Sequence, residues 1–164
     1  MGGFLEKQNK IALKQKYFYS IEELVSEQYH LSLDRITLLL VQQEIRDENV
    51  KSLAYALTKC INLIELRLFF MFFKEQFGDL GFQYITSALT QSEKIQSLSL
   101  HFQGFSIRNE DVLALLSAFK KLSHLHYLQL DLKVNKALIT QQQKQQIKKI
   151  IMQMKRVVQI KILL

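Results

Sequence analysis

Five segments of this chain share one pattern, L-x-x-L-x-L-x-L, with other apolar residues sometimes replacing leucine. They are LDRITLLL (33–40), LIELRLFF (63–70), IQSLSLHF (95–102), LHYLQLDL (125–132) and VVQIKILL (157–164). Their second apolar positions are Ile36, Leu66, Leu98, Leu128 and Ile160, spaced by 30, 32, 30 and 32 residues. Alternation with period two marks a strand with one buried face. Recurrence at a fixed interval of this size marks a repeat architecture, in which one unit cannot bury its apolar face and stacked units can.

The match extends past the strands. EIRDENVKSLAYAL, QFGDLGFQYITSAL and SIRNEDVLALLSAF each read as an apolar residue, a polar turn and a helix. The apolar sets Val50, Leu53, Leu57; Phe82, Ile85, Leu89; and Val112, Leu115, Phe119 have helical three- and four-residue spacing. From Leu38 to Ile45 and from Leu100 to Ile107 is seven residues, and from Leu68 to Phe77 and from Leu130 to Ile139 is nine. One loop of alternating length therefore accounts for the two periods. The spacing predicts strands near 33–40, 63–70, 95–102, 125–132 and 157–163, and helices near 47–59, 79–91, 109–121 and 140–154. The fold class expected is α/β, a solenoid of about four repeats with a short curved parallel sheet on its concave side and helices on its convex side.

These segments resemble the leucine-rich repeats of the ribonuclease-inhibitor-like class. FGDLGFQYITSAL is similar to the I-G-D-E-G-x-x-x-L-x-x-x-L segment of that class. The L-x-L-x-L strands, together with 18 glutamines, resemble the leucine-rich-repeat families of ciliates. The resemblance covers residues 33–164 and implies a fold, not an activity. The turn asparagine of the class survives only as Asn135; Gln43, Phe73 and Phe105 replace it elsewhere, and Phe73 and Phe105 are expected to pack inside their turns.

Residues 1–32 lie outside the repeat and read as an N-terminal helical cap. Ser20 with Glu23 three residues on forms a capping box for a helix with Ile21, Leu24 and Val25 on its apolar side. The single cysteine, Cys60, excludes an internal disulfide and fits an intracellular, cytoplasmic setting. No apolar stretch reaches the ~20 residues of a membrane span, and the basic start has no apolar core for a secretory signal.

Phe69–Phe73 is a run of five apolar residues. In the strand register Phe70 faces the core, and Phe69 and Met71 face the concave side. Leu39 and Val41 hold the same places one unit earlier. One unit later the places fall to His101 and Gln103, then to Asp131 and Lys133. The concave face is thus apolar in its first half, and Leu39, Val41, Arg67, Phe69, Met71 and His101 form a candidate protein-binding site. Cover by the N-terminal segment is the competing explanation. The strand VVQIKILL offers an open edge that invites pairing with another subunit.

Net charge is +7, with an uneven distribution. Lys133, Lys136, Lys144, Lys148, Lys149, Lys155, Arg156 and Lys161 stand in a region without acidic residues; the rest carries 14 basic and 15 acidic side chains. A basic end fits a solvated terminal unit, or a contact with RNA, an acidic protein surface or an anionic membrane. No nucleic-acid module and no phosphate-binding loop is present. His101 has no triad partners in sequence, and His124-x-His126 lacks the further ligands of a metal set. The chain therefore reads as a noncatalytic interaction module or small scaffold subunit, with no cofactor, whose partner is another protein or a larger assembly. An RNA- or ribonucleoprotein-associated component and a GTPase-activating regulator are the alternatives.

Overall fold

The computed structural model describes residues 13–28, 30–41, 44–71, 77–103, 105, 107–132 and 140–163. Strands and helices alternate along the chain: β1 (Gln15–Phe18), α1 (Ile21–Val25), a 3-10 turn (His30–Ser32), β2 (Arg35–Val41), α2 (Asp47–Lys59), β3 (Glu65–Met71), α3 (Asp79–Thr90), β4 (Ser97–Gln103), α4 (Asn109–Lys121), β5 (Tyr127–Asp131), α5 (Gln141–Met152) and β6 (Gln159–Leu163). The six strands form one parallel sheet in sequence order. Parallel neighbours need crossover connections of one hand, so successive helices fall on the same side of the sheet. α1 to α5 accordingly pack in a row, each on the next.

The register pairs Ile36 with Leu66, Leu98, Leu128 and Ile160 in turn, which is the alignment of the 30- and 32-residue spacings. Leu38, Leu68, Leu100 and Leu130 form a second column, all fully buried. Each inward residue thus rests on its equivalent in the next unit as well as on the helix layer. Full burial of one such side chain stabilises by roughly 1.5–3 kcal/mol.

The sheet begins one strand before the repeat pattern. Gln15–Phe18 pairs with Arg35–Leu38, but Lys16 occupies the place that Ile36 holds in β2, so only Phe18 is buried. At α1, Ser20 Oγ accepts the Glu23 N–H at 3.1 Å and Glu23 Oε2 accepts the Tyr19 N–H at 2.7 Å.

Side chains also tie each unit to the next. Asp47, first residue of α2, accepts the N–H groups of Gly78 and Gly81 at 2.9 and 2.8 Å, which satisfies donors left free at the start of α3. Asp79, the equivalent residue of α3, pairs with Arg108 at 2.9 Å. At the other end of the helices, Asn62 donates to the Leu31 carbonyl at 2.8 Å. Arg156 donates to the carbonyls of Phe119, Lys120 and Leu122 at 2.9, 2.6 and 2.9 Å, capping α4.

Between β3, β4 and α3 the core is aromatic. Phe70 stacks on Phe102 with ring centres 5.3 Å apart, and Phe77, Phe82 and Phe105 close around them. Phe105 is buried in this cluster, whereas Phe73 lies outside the described residues, as do Gln43 and Asn135. A Cβ at position 81 would overlap Phe77, so any other residue here requires Phe77 to shift. Gly81→Ala is expected to destabilise the fold by about 1–3 kcal/mol, overpacking outweighing the gain in helix propensity; urea denaturation measures it, and unchanged stability would contradict the packing.

Candidate protein-docking face

Helices cover one face of the sheet, and the outward-pointing residues of the strands line the other. In β3 the alternation is complete: Leu66, Leu68 and Phe70 are buried, while Glu65, Arg67, Phe69 and Met71 face outward. The register carries these positions across the sheet in rows. One row reads Leu39, Phe69, His101, Asp131, and the next Val41, Met71, Gln103. Leu39, Phe69, Met71 and His101 are half-buried, Val41 is 44% exposed and Arg67 is exposed. All six residues singled out in the sequence therefore lie on one face and adjoin one another. The described part of the N-terminal region extends the sheet edge and the helix row rather than crossing this face.

At the middle of the face, Phe69 and His101 stack with centroids 4.4 Å apart and planes 18° apart. His101 Nδ1 lies 3.6 Å from Asp131 Oδ2. Burial pushes the imidazole below its ordinary pKa; Asp131 opposes that shift and Lys161 adds to it. The shift favours the neutral ring, which packs as an aromatic surface continuous with Phe69. Beside this apolar strip, Arg35 Nε lies 3.4 Å from Glu65 Oε2, and Arg67 Nη2 lies 2.5 Å from Glu65 Oε1. Two guanidinium groups share one carboxylate. Sequence reading overlooked Arg35 and Glu65 because their meeting depends on the strand register.

The basic residues do not form one surface. Lys148 and Lys149 are exposed and Lys144 is half-buried on α5, within the helix row, and Lys155 is exposed in the turn that follows. Lys161 stands on β6 in the row of Gln129, Ser99 and Arg67, on the sheet face. Arg156 is committed to the end of α4. Lys133 and Lys136 lie outside the described residues.

Among the described residues no group of three or more His, Cys, Asp or Glu side chains is placed to hold a metal ion. Cys60 is buried, and burial, then Glu27, pushes its thiol up to about 12, so it packs as a neutral side chain. Among the described residues no helix is long and apolar enough to cross a membrane.

No family model and no curated protein matches the sequence. Solved structures do. One, described as leiomodin-1 actin-binding site 2, is 13% identical with a TM-score of 0.59; the match covers 86% of this chain and 80% of that one. Another, the Caenorhabditis elegans tropomodulin C-terminal domain, is 12% identical with a TM-score of 0.56, covering 90% of this chain and 85% of that one. At this identity the likeness concerns the fold.

These neighbours correct the resemblance drawn from sequence. They are tropomodulin and leiomodin domains, not ribonuclease-inhibitor-like proteins, and nothing supports a ciliate family. The physical reason lies in what the matching motif does. In FGDLGF, Gly81 makes room for Phe77, and the N–H groups of Gly78 and Gly81 are held by Asp47. Such needs belong to any stacked strand–turn–helix unit and carry no lineage.

The depressed pKa of His101 makes stability depend on pH. Between the lowered value and the ordinary 6.5, the unfolded chain binds more protons than the folded one. This contribution is therefore complete above the unfolded pKa and is lost as pH falls through the folded one. Scanning fluorimetry from about pH 7.5 to about pH 5.5 is expected to show a falling melting temperature, with a smaller fall in His101→Phe. Equal falls in both would remove His101 as the cause.

Proposed function

We propose that this chain is a noncatalytic protein-interaction module, a short solenoid of leucine-rich-repeat type that docks a protein partner on its open sheet face. The observation that carries the reading is the adjoining set Leu39, Val41, Phe69 and Met71 on the face that the helices leave uncovered. Each such side chain is worth roughly 1.5–3 kcal/mol when fully buried, before the costs of association. The solenoid reading rests on the alternating 30- and 32-residue spacing and the sequence-ordered parallel sheet. β6, paired with β5 alone among the described strands, is a second contact in this proposal.

The printed descriptions of the two structural neighbours make actin the first partner to test. The expected outcome is that wild-type protein co-sediments with actin filaments or binds labelled monomeric actin. Phe69→Ser with Met71→Ser is expected to keep its circular dichroism spectrum and lose that binding. Binding that survives the double substitution would remove this face as the site, and absence of wild-type binding would remove actin.

A second reading follows from the exposed Lys148, Lys149 and Lys155 in a unit without acidic residues. It assigns the last unit to RNA. Filter binding to mixed RNA at about 50 mM and about 200 mM salt is then expected to show a steep loss of affinity, and weak, salt-independent retention would exclude it.

A further inference from the structure

The docking face has a charge imbalance at a defined place. Glu65 is largely buried and serves both Arg35 and Arg67, whose side chains remain 38% and 47% exposed. One positive charge is therefore in excess next to the apolar strip. Arg35 Nε is buried and, although near Glu65, lacks the geometry of a hydrogen bond; it has no acceptor among the described residues. Arg35 Nε is closed to an incoming group, so the exposed guanidinium of Arg67 is the one placed to receive an acceptor from outside. Arg67 is two residues before Phe69 on the same side of β3. On its other side, Arg67 and Glu65 line a depression of about 450 Å³ with Ser97, Tyr127 and Gln159. Lys161 lies three strands further along the Arg67 row.

We propose that the partner of this face is a protein segment that presents apolar side chains beside a carboxylate, the apolar part seated on Leu39, Val41, Phe69 and Met71 and the carboxylate received by Arg67. The inference rests on the docking reading above and adds the chemistry of what docks. Arg67 can keep one N–H on Glu65 and offer others to the incoming group, because a guanidinium carries five donors in a planar fork. The surplus charge selects among apolar partners by sign, since a lysine in the carboxylate's place meets Arg67 with like charge.

The test uses three fluorescein-labelled amphipathic helical peptides of about five turns, with one leucine face flanked on one border by Glu, Gln or Lys and an otherwise uncharged polar face. Fluorescence anisotropy on the full chain is expected to rank them Glu, Gln, Lys, with about tenfold between first and last. Arg67→Gln is expected to abolish the ranking, Arg67→Lys to restore part of it, and Lys148→Gln with Lys149→Gln to leave it intact. Equal binding of the three peptides, a ranking untouched by Arg67→Gln, or a ranking lost in the Lys148/Lys149 variant would overturn the inference. Phe69→Ser separates it from the reading on which it rests. If that variant binds the Gln peptide as wild type does, the docking face itself fails. If it loses all three peptides while wild type does not rank them, the face stands and the carboxylate inference falls.

Discussion

The structure depends on like residues resting on like residues across parallel strands. Ile36, Leu66, Leu98, Leu128 and Ile160 are consecutive neighbours in the sheet although 124 residues separate the first from the last. A shift of one residue in any strand would turn its leucines out to solvent and its charged residues into the core. The outward rows are ordered by the same constraint. Phe69 meets His101, and Glu65 meets Arg35, because Leu66 and Leu68 have already set the register from the opposite face.

This explains how far the fold could be read in advance. Strand positions and pairing are visible in the chain because each inward residue is apolar and the period alternates by a loop of fixed length. β1 is not visible in the same way. Its place in the first leucine column is held by Lys16, which is exposed and paired with Glu27, and a four-residue strand with one buried side chain leaves little periodicity to detect. The family was misjudged for a related reason: the motif that pointed to it describes the packing of a turn, a demand of the fold rather than of one family.

The candidate face was legible in part. Alternation alone placed Leu39, Val41, Arg67, Phe69, Met71 and His101 on one side of the sheet. It also placed Asp131 on that side, but the sharing of Glu65 by Arg35 and Arg67 was not legible, because it arises only between cross-strand neighbours. Charge counting was the least informative guide. It grouped eight cations by sequence, whereas folding puts Lys161 on the sheet face, Lys148 and Lys149 in the helix row, and Arg156 inside a cap.

Arg156 has a consequence for how the protein comes apart. Of the side chains of α5, only Ile147 is fully buried, with Ile150 and Ile151 partly buried beside it, so α5 contributes less to the core than α2, α3 or α4. Its guanidinium binds three carbonyls of the preceding helix end and so acts as a latch between neighbouring units. Among the described elements α5 packs on α4 and β6 pairs with β5, so the contacts that hold the last unit are made to the unit before it. Loss of the latch would weaken the seating of α5 on α4, with the pairing of β6 on β5 still in place. Among the described residues the latch and the proposed docking surface therefore share no hydrogen bond: the Arg156 contacts fall on the end of α4, and none on β2 or β3.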